Sequence, residues 1–196
     1  VSVRVLITGV TGMAGSHLAE YLLGMGDVEL FATYRWRSRM ENLEELRGEG
    51  KLVFVTEDSP ILSASGLESM IKGHAQPGKL NLIEGDITDP FSMRRFIAAL
   101  RPERIFHLAA QSYVPGSWSA PADTLYTNII GELNIFEGVR EAGIDPLIHI
   151  AGSSEEYGFI LPEELPVKET NPLRPLSPYG VSKVAQEMLA YQYFKS

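Results

Sequence analysis

Cysteine is absent from all 196 residues, which excludes disulfides and thiolate metal ligands and fits a reducing compartment. Net positive charge is missing too: 17 Lys and Arg against 25 Asp and Glu leave a formal charge of -8. A surface of that sign does not attract nucleic acid, so any anionic ligand must be held by local groups. Histidine is scarce, and His17, His74, His107 and His149 show no ligand spacing, so no metal site is expected. No apolar run reaches the length of a membrane span, and the N-terminal residues read as a strand rather than a signal peptide. A cytoplasmic protein without nucleic-acid or membrane partners is the expectation. What is present is an ordinary globular composition, 44% hydrophobic, enough for one sizeable core.

The most informative stretch is Val3 to Leu23, VRVLITGVTGMAGSHLAEYLL. Val3, Val5, Leu6 and Ile7 predict a strand buried on both faces. Gly9, Gly12 and Gly15 follow at intervals of three, and Ala14, Leu18 and Leu22 then recur with the period of a helix packed on a sheet. In such a strand, turn and helix, Gly9 allows the sharp turn, Gly12 admits a pyrophosphate to the backbone, and Gly15 lets helix and strand pack closely. The free amides and positive end of the helix dipole face the anion.

Glu29 to Thr33 predicts a second strand that closes a βαβ unit. Beyond it the sequence is TYRWRSR, with Arg35, Arg37 and Arg39 and no carboxylate before Glu41. An acidic residue here suits a free ribose 2′-hydroxyl and arginine a 2′-phosphate, so the reading is NADP, with Arg35 best placed. Met40 to Arg47 predicts a short amphipathic helix. Gly50-Lys51-Leu52 then returns as Gly78-Lys79-Leu80. Between them Val53 to Pro77 fits no expected element of a doubly wound sheet and reads as an insertion, with VFVTE readable as a short strand, GLESMIKGH as a short helix, and Glu57 and Asp58 on the surface.

LNLIEGD predicts a strand ending at Asp86, Asp89-Pro90 the start of a helix through Leu100, and Arg104 to Ala110 a fourth strand. Ala109 and Ala110 are small enough for a cofactor to lie against the backbone. A long helix from about Pro121 to Ala142, stopped by Gly143, carries Leu125, Ile129, Leu133 and Phe136 as a core stripe. Leu147 to Ala151 predicts a fifth strand. Beyond it GSSEEYG places Ser153, Ser154, Glu155 and Glu156 where open parallel sheets put their ligands. After a polar loop, Ser177-Pro178 caps a helix carrying Tyr179 and Lys183 on one face.

A tyrosine titrates near 10, but an ammonium one turn away favours its phenolate. Tyr179 with Lys183, and a hydroxyl from Ser153 on the same substrate oxygen, can move a proton on or off a carbinol while a nicotinamide exchanges hydride. Glu155 adds a base able to take the acidified proton beside a ketone and permit loss of water.

Gly9-Val-Thr-Gly12-Met-Ala-Gly15, LNLIEGDITD, FHLAAQS, Ser153-Ser-Glu155-Glu-Tyr-Gly158 and Tyr179-Gly-Val-Ser-Lys183 together resemble the extended short-chain dehydrogenase/reductases. Within them the chain is similar to the GDP-mannose 4,6-dehydratases and the related GDP-4-keto-6-deoxymannose reductases. The resemblance implies an α/β, Rossmann-type doubly wound parallel sheet. It implies that Gly9, Thr11, Gly12, Met13, Ala14 and Gly15 hold the pyrophosphate and Arg35 the 2′-phosphate, and that Asp86 and Ile87 meet the adenine. Leu108, Ala109, Ala110, Gln111, Ser112 and Asn128 would line the cofactor, with Tyr179 and Lys183 also touching it. Ser153, Tyr179 and Lys183 would form the catalytic triad and Glu155 the base. Ser154 stands where dehydratases of dTDP-glucose carry Asp, which favours GDP-mannose, and sugar epimerases generally lack the Glu155 carboxylate. The reductases carry a similar segment, so a reductase or epimerase of a keto sugar, or a non-catalytic cofactor-binding fragment, stays open.

The resemblance also implies a homodimer or homotetramer, built through the Pro121 helix and the Tyr179 helix. Residues 1–196 read as the NADP-binding domain alone. The sugar-nucleotide-binding part that family members carry beyond this point is not in the sequence, which would leave the fifth strand at a raw edge.

Overall fold

The computed structural model describes residues 2–55 and 63–196. They divide into two compact units. One is the chain up to Ala109 together with Asn134–Ile150, and the other is Ala110–Leu133 with Ala151–Ser196. The strands are β1 (Val3–Thr8), β2 (Val28–Tyr34), β3 (Leu52–Phe54), β4 (Leu80–Glu84), β5 (Arg104–His107) and β6 (Leu147–Ile150). The helices are α1 (Met13–Met25), α2 (Glu44–Gly48), α3 (Ala64–His74), α4 (Pro90–Leu100), α5 (Val114–Ser119), α6 (Pro121–Leu125), α7 (Gly131–Ala142) and α8 (Pro178–Lys195).

All the strands among the described residues belong to the first unit and form one six-stranded sheet in the order β3-β4-β2-β1-β5-β6. Every pairing is parallel, and Val5 of central β1 aligns with Leu30 on one side and Arg104 on the other. Alternate residues of a strand face opposite ways. Val5, Ile7, Leu30, Ala32, Leu80 and Leu82 accordingly pack with Ala19 and Leu22 of α1 and with Leu43 and Leu46 at α2. Leu6, Phe31, Ile83 and Ile105 pack with Leu67 and Ile71 of α3, Phe96 and Ile97 of α4 and Ile135 of α7. Helices on both faces make the sheet doubly wound, as expected, and explain why its central strands read as continuous apolar runs.

Several expectations are corrected. Val53 and Phe54 join the sheet as part of edge strand β3, in register with Asn81 and Leu82. The short strand read in VFVTE and the short helix read in GLESMIKGH are both present, as β3 and α3, so the described part of the stretch supplies elements of the doubly wound sheet rather than fitting none; Glu57 and Asp58 lie outside the described residues. β4 and β5 stop at Glu84 and His107, so Asp86, Ala109 and Ala110 lie in the loops beyond. The buried face of α1 is Gly15, Ser16, Ala19 and Leu22, with Leu18 half-buried and Ala14 exposed. The helix expected from Pro121 to Ala142 is interrupted by a π turn over Tyr126–Ile130. Phe136 of its stripe is buried, while Leu125, Ile129 and Leu133 are half-buried. No helix among the described residues is long and apolar enough to cross a membrane.

Candidate active site

In the first unit, Gly9 turns the chain out of β1 with φ +80°, and a Cβ there would lie 2.6 Å from the Ala109 nitrogen. A Cβ on Gly15 would lie 2.4 Å from the Gly9 carbonyl oxygen, so these two glycines set how closely turn, helix and the loop after β5 approach. Gly12 opens α1 from extended backbone, no side chain caps it, and the first turn holds no acidic residue. Gly12 and Met13 are exposed. The open positive end of the helix, with a backbone free of Cβ at its entrance, fits a pyrophosphate. Asn42 donates to the Thr11 carbonyl at 2.9 Å and ties the turn to the segment after β2.

Arg35 follows β2, its backbone N–H donating to Ser38 Oγ at 3.1 Å, and its exposed guanidinium lies 4.0 Å from Asp86 Oδ2. Asp86 itself accepts from both the amide and hydroxyl of Thr88, at 2.9 and 2.8 Å. The neighbouring Ile87 carbonyl accepts from Asn134 of α7 at 2.8 Å. Arg35, Asp86, Ile87, Leu108 and Ala109 thus follow the carboxyl ends of β2, β4 and β5, where parallel sheets bind ligands.

The second unit brings together Ser153, Glu155, Tyr179 and Lys183. Ser153 caps a single turn, Ser154–Glu156: its hydroxyl accepts from the Glu155 amide at 3.2 Å, and its own amide donates to Glu156 Oε1 at 2.7 Å. Ser177 caps α8, accepting from the Gly180 amide at 3.0 Å, and its hydroxyl is 3.3 Å from Glu155 Oε2. One serine therefore sets the start of the helix and steadies the acid. A turn of α8 then carries Tyr179 and Lys183 on one face. Lys183 Nζ is 5.8 Å from the centre of the Tyr179 ring and donates to the Ala151 carbonyl at 2.8 Å. Lys183 is buried, and burial pulls its ammonium below the ordinary lysine range, against the attraction of Glu132 and Glu156.

Asn128 lies within the π turn and is fully buried. It accepts from the Gln111 amide at 2.7 Å and donates to the Gln111 carbonyl at 3.2 Å and to Ser182 Oγ at 2.8 Å. It anchors the loop of Ala110, Gln111 and exposed Ser112 to α8. The π turn widens the helix so that this side chain points inward, a use such turns often have near functional groups.

The sequence places Glu156 in the loop after β6 but does not show its burial, and it does not single out Glu132. Glu156 is buried, and burial together with the neighbouring Glu187 carboxyl pushes it above the ordinary carboxylate range. Glu132 is buried in the first turn of α7, and burial pushes its carboxyl up to about 8, against the Gln186 amide and Lys183, which favour the ionised form. A signal existed for Glu132. At three residues from Ile129 and four from Phe136 it sits on the apolar stripe's own face.

A doubly wound parallel sheet with a glycine turn at its first helix, and a Ser, Tyr and Lys set carried on a turn and a capped helix, defines a Rossmann-type protein of the extended short-chain dehydrogenase/reductase class. The family model described as GDP-mannose 4,6 dehydratase matches residues 51–196, and the chain belongs to that family. It is 31% identical over 194 residues to the GDP-mannose 4,6-dehydratase of Vibrio cholerae serotype O1, covering 97% of this chain and 45% of that protein. It is 33% identical over 192 residues to GDP-mannose 4,6 dehydratase 2 of Arabidopsis thaliana, covering 96% and 45%. Among solved structures it is similar to the UDP-glucose 4-epimerase of Thermus thermophilus in complex with NAD, with a TM-score of 0.72, 29% identity, and coverage of 98% of this chain and 51% of that one. The chain spans about half the length of the curated relatives it matches.

Proposed function

We propose that the protein containing this chain is an NADP-dependent dehydratase that converts GDP-mannose to GDP-4-keto-6-deoxymannose in the cytoplasm, working as a homodimer or homotetramer. The observation that carries this reading is Glu155, held 3.3 Å from the Ser177 hydroxyl on the turn that Ser153 caps, beside the helix bearing Tyr179 and Lys183. A carboxylate in that place gives the site a base beyond the Tyr and Lys pair.

In this reading the glycine turn and α1 hold the pyrophosphate, Arg35 the 2′-phosphate, and Asp86 and Ile87 the adenine. The exposed guanidinium of Arg35, with no carboxylate following β2 before Glu41, supports NADP over NAD. The bound cofactor supplies a hydride acceptor for C4 and a donor for C6. Tyr179, with Lys183 one turn along the same helix face, takes the C4 hydroxyl proton while Ser153 donates to the same oxygen. Glu155 then removes the C5 proton, acidified by the new ketone, and passes a proton to the departing C6 hydroxyl, which leaves as water. The proton held by Tyr179 balances the one that C5 regains.

Turnover of GDP-mannose by the complete protein tests this. A dehydratase forms the 4-keto-6-deoxy product with no net change in NADP. Stoichiometric consumption of NADPH with a 4-keto sugar would identify a reductase, and interconversion of C4 epimers an epimerase.

A further inference from the structure

Glu132 is 1% exposed, and among the described residues neither of its carboxylate oxygens makes a hydrogen bond of ordinary geometry. Gln186 of α8 is also 1% exposed, and its amide atoms are in the same condition. Two buried polar side chains left this way require an explanation. The two face one another, and Lys183 is near enough to Glu132 for direct attraction between charges. The other ionisable groups in the cluster are Glu156, which also attracts Lys183, Glu187 beside Glu156, and Tyr179, whose ring lies 5.8 Å from Lys183 Nζ.

We infer that Glu132 is an internal counter-ion for Lys183, a positioning residue that keeps the ammonium charged, and so paired with Tyr179, at alkaline pH. A buried lysine loses its proton more readily than an exposed one because the interior does not solvate the charge. An anion near the ammonium offsets that loss. The carboxyl is itself raised to about 8, so it is neutral while Lys183 is safely protonated and gives its proton to solvent as the pH rises toward the range where Lys183 would lose its own. The acid is supplied by α7 rather than by α8 or the Ser153 turn, and it acts through Lys183. This inference rests on the reading of Tyr179 and Lys183 as the catalytic pair, and not on the identity of the sugar.

The test is titration of Lys183 in the complete protein, by nitrogen resonance of labelled lysine assigned with Lys183→Arg, together with the pH profile of kcat and KM. In Glu132→Gln, which keeps the shape but cannot ionise, the Lys183 midpoint should fall by roughly one unit or more, and the alkaline limb of kcat should fall with it. A purely structural loss would lower kcat at every pH and leave both midpoints in place. If Glu132→Gln does not fold, the reciprocal measurement decides: Lys183→Met should drive the Glu132 carboxyl, followed by carbon resonance, well above 8. An unmoved Lys183 in the first variant, or an unmoved Glu132 in the second, overturns the inference. A shifted Lys183 in a protein that does not turn over GDP-mannose supports it and removes the dehydratase reading instead.

Discussion

In the proposed reaction Arg35 and Glu132 act through where each sits. Arg35 is exposed and charged, so Arg35→Ala should weaken NADP by roughly 1.5–3 kcal/mol, the worth of a charged hydrogen bond, and leave NAD nearly unaffected. Calorimetry on both cofactors checks this, and equal loss for the two would refute the 2′-phosphate role. Glu132 has its titration raised from 4.5 to about 8. Its ionisation therefore costs nothing below about 4.5, where it is protonated folded or unfolded, and stability is lost as pH climbs toward 8. Glu132→Gln should lose on the order of 2–4 kcal/mol less than wild type between those limits, read by denaturant unfolding. Parallel pH curves would contradict it. Ser153, Glu155, Tyr179 and Lys183 were legible as letters, because Ser-Ser-Glu-Glu-Tyr-Gly after a strand and Tyr-x-x-x-Lys after a cap are local patterns. For Glu132 only the place on the apolar face was legible, because its meaning depends on what α8 puts opposite it.

At the scale of elements, caps and strand patterns were legible and irregularities were not. Ser177 and Asp89 bond the first turns of α8 and α4 as their sequences predict. The π turn left no mark on the apolar period around it, and edge strand β3, readable as a short strand, is too short for its sequence to show that it joins the sheet. The loop from Gly158 to Leu176 looked merely polar. It is clasped shut, since Arg174 donates to both oxygens of Glu164 at 2.8 Å and to the Phe159 carbonyl at 3.1 Å. Arg174 holds the Glu164 carboxyl below the ordinary range. The clasp is therefore present above that range and lost as pH falls through the lowered value. Arg174→Ala should speed hydrogen exchange across Phe159 to Leu176 at neutral pH, while wild type approaches the variant only in acid. Unchanged exchange would show that the loop holds without the ion pair.

For the molecule as a whole, Tyr126, Val181, Met188 and Tyr191 expose apolar surface on the π turn and α8. Surface of this kind marks association when it is continuous. Light scattering on the complete protein should give a dimer or larger at micromolar concentration, and a stable monomer would contradict the proposed assembly. The central claim is that Glu155 is the base for C5, and it is tested by running GDP-mannose turnover in deuterated water with wild type and Glu155→Gln. Wild type should place deuterium at C5 of a 4-keto-6-deoxy product without net reduction of NADP. The variant should do so more slowly by roughly a hundredfold to ten-thousandfold, since only the basicity is removed. Product formed by Glu155→Gln at an undiminished rate, or product lacking deuterium at C5, would contradict the account.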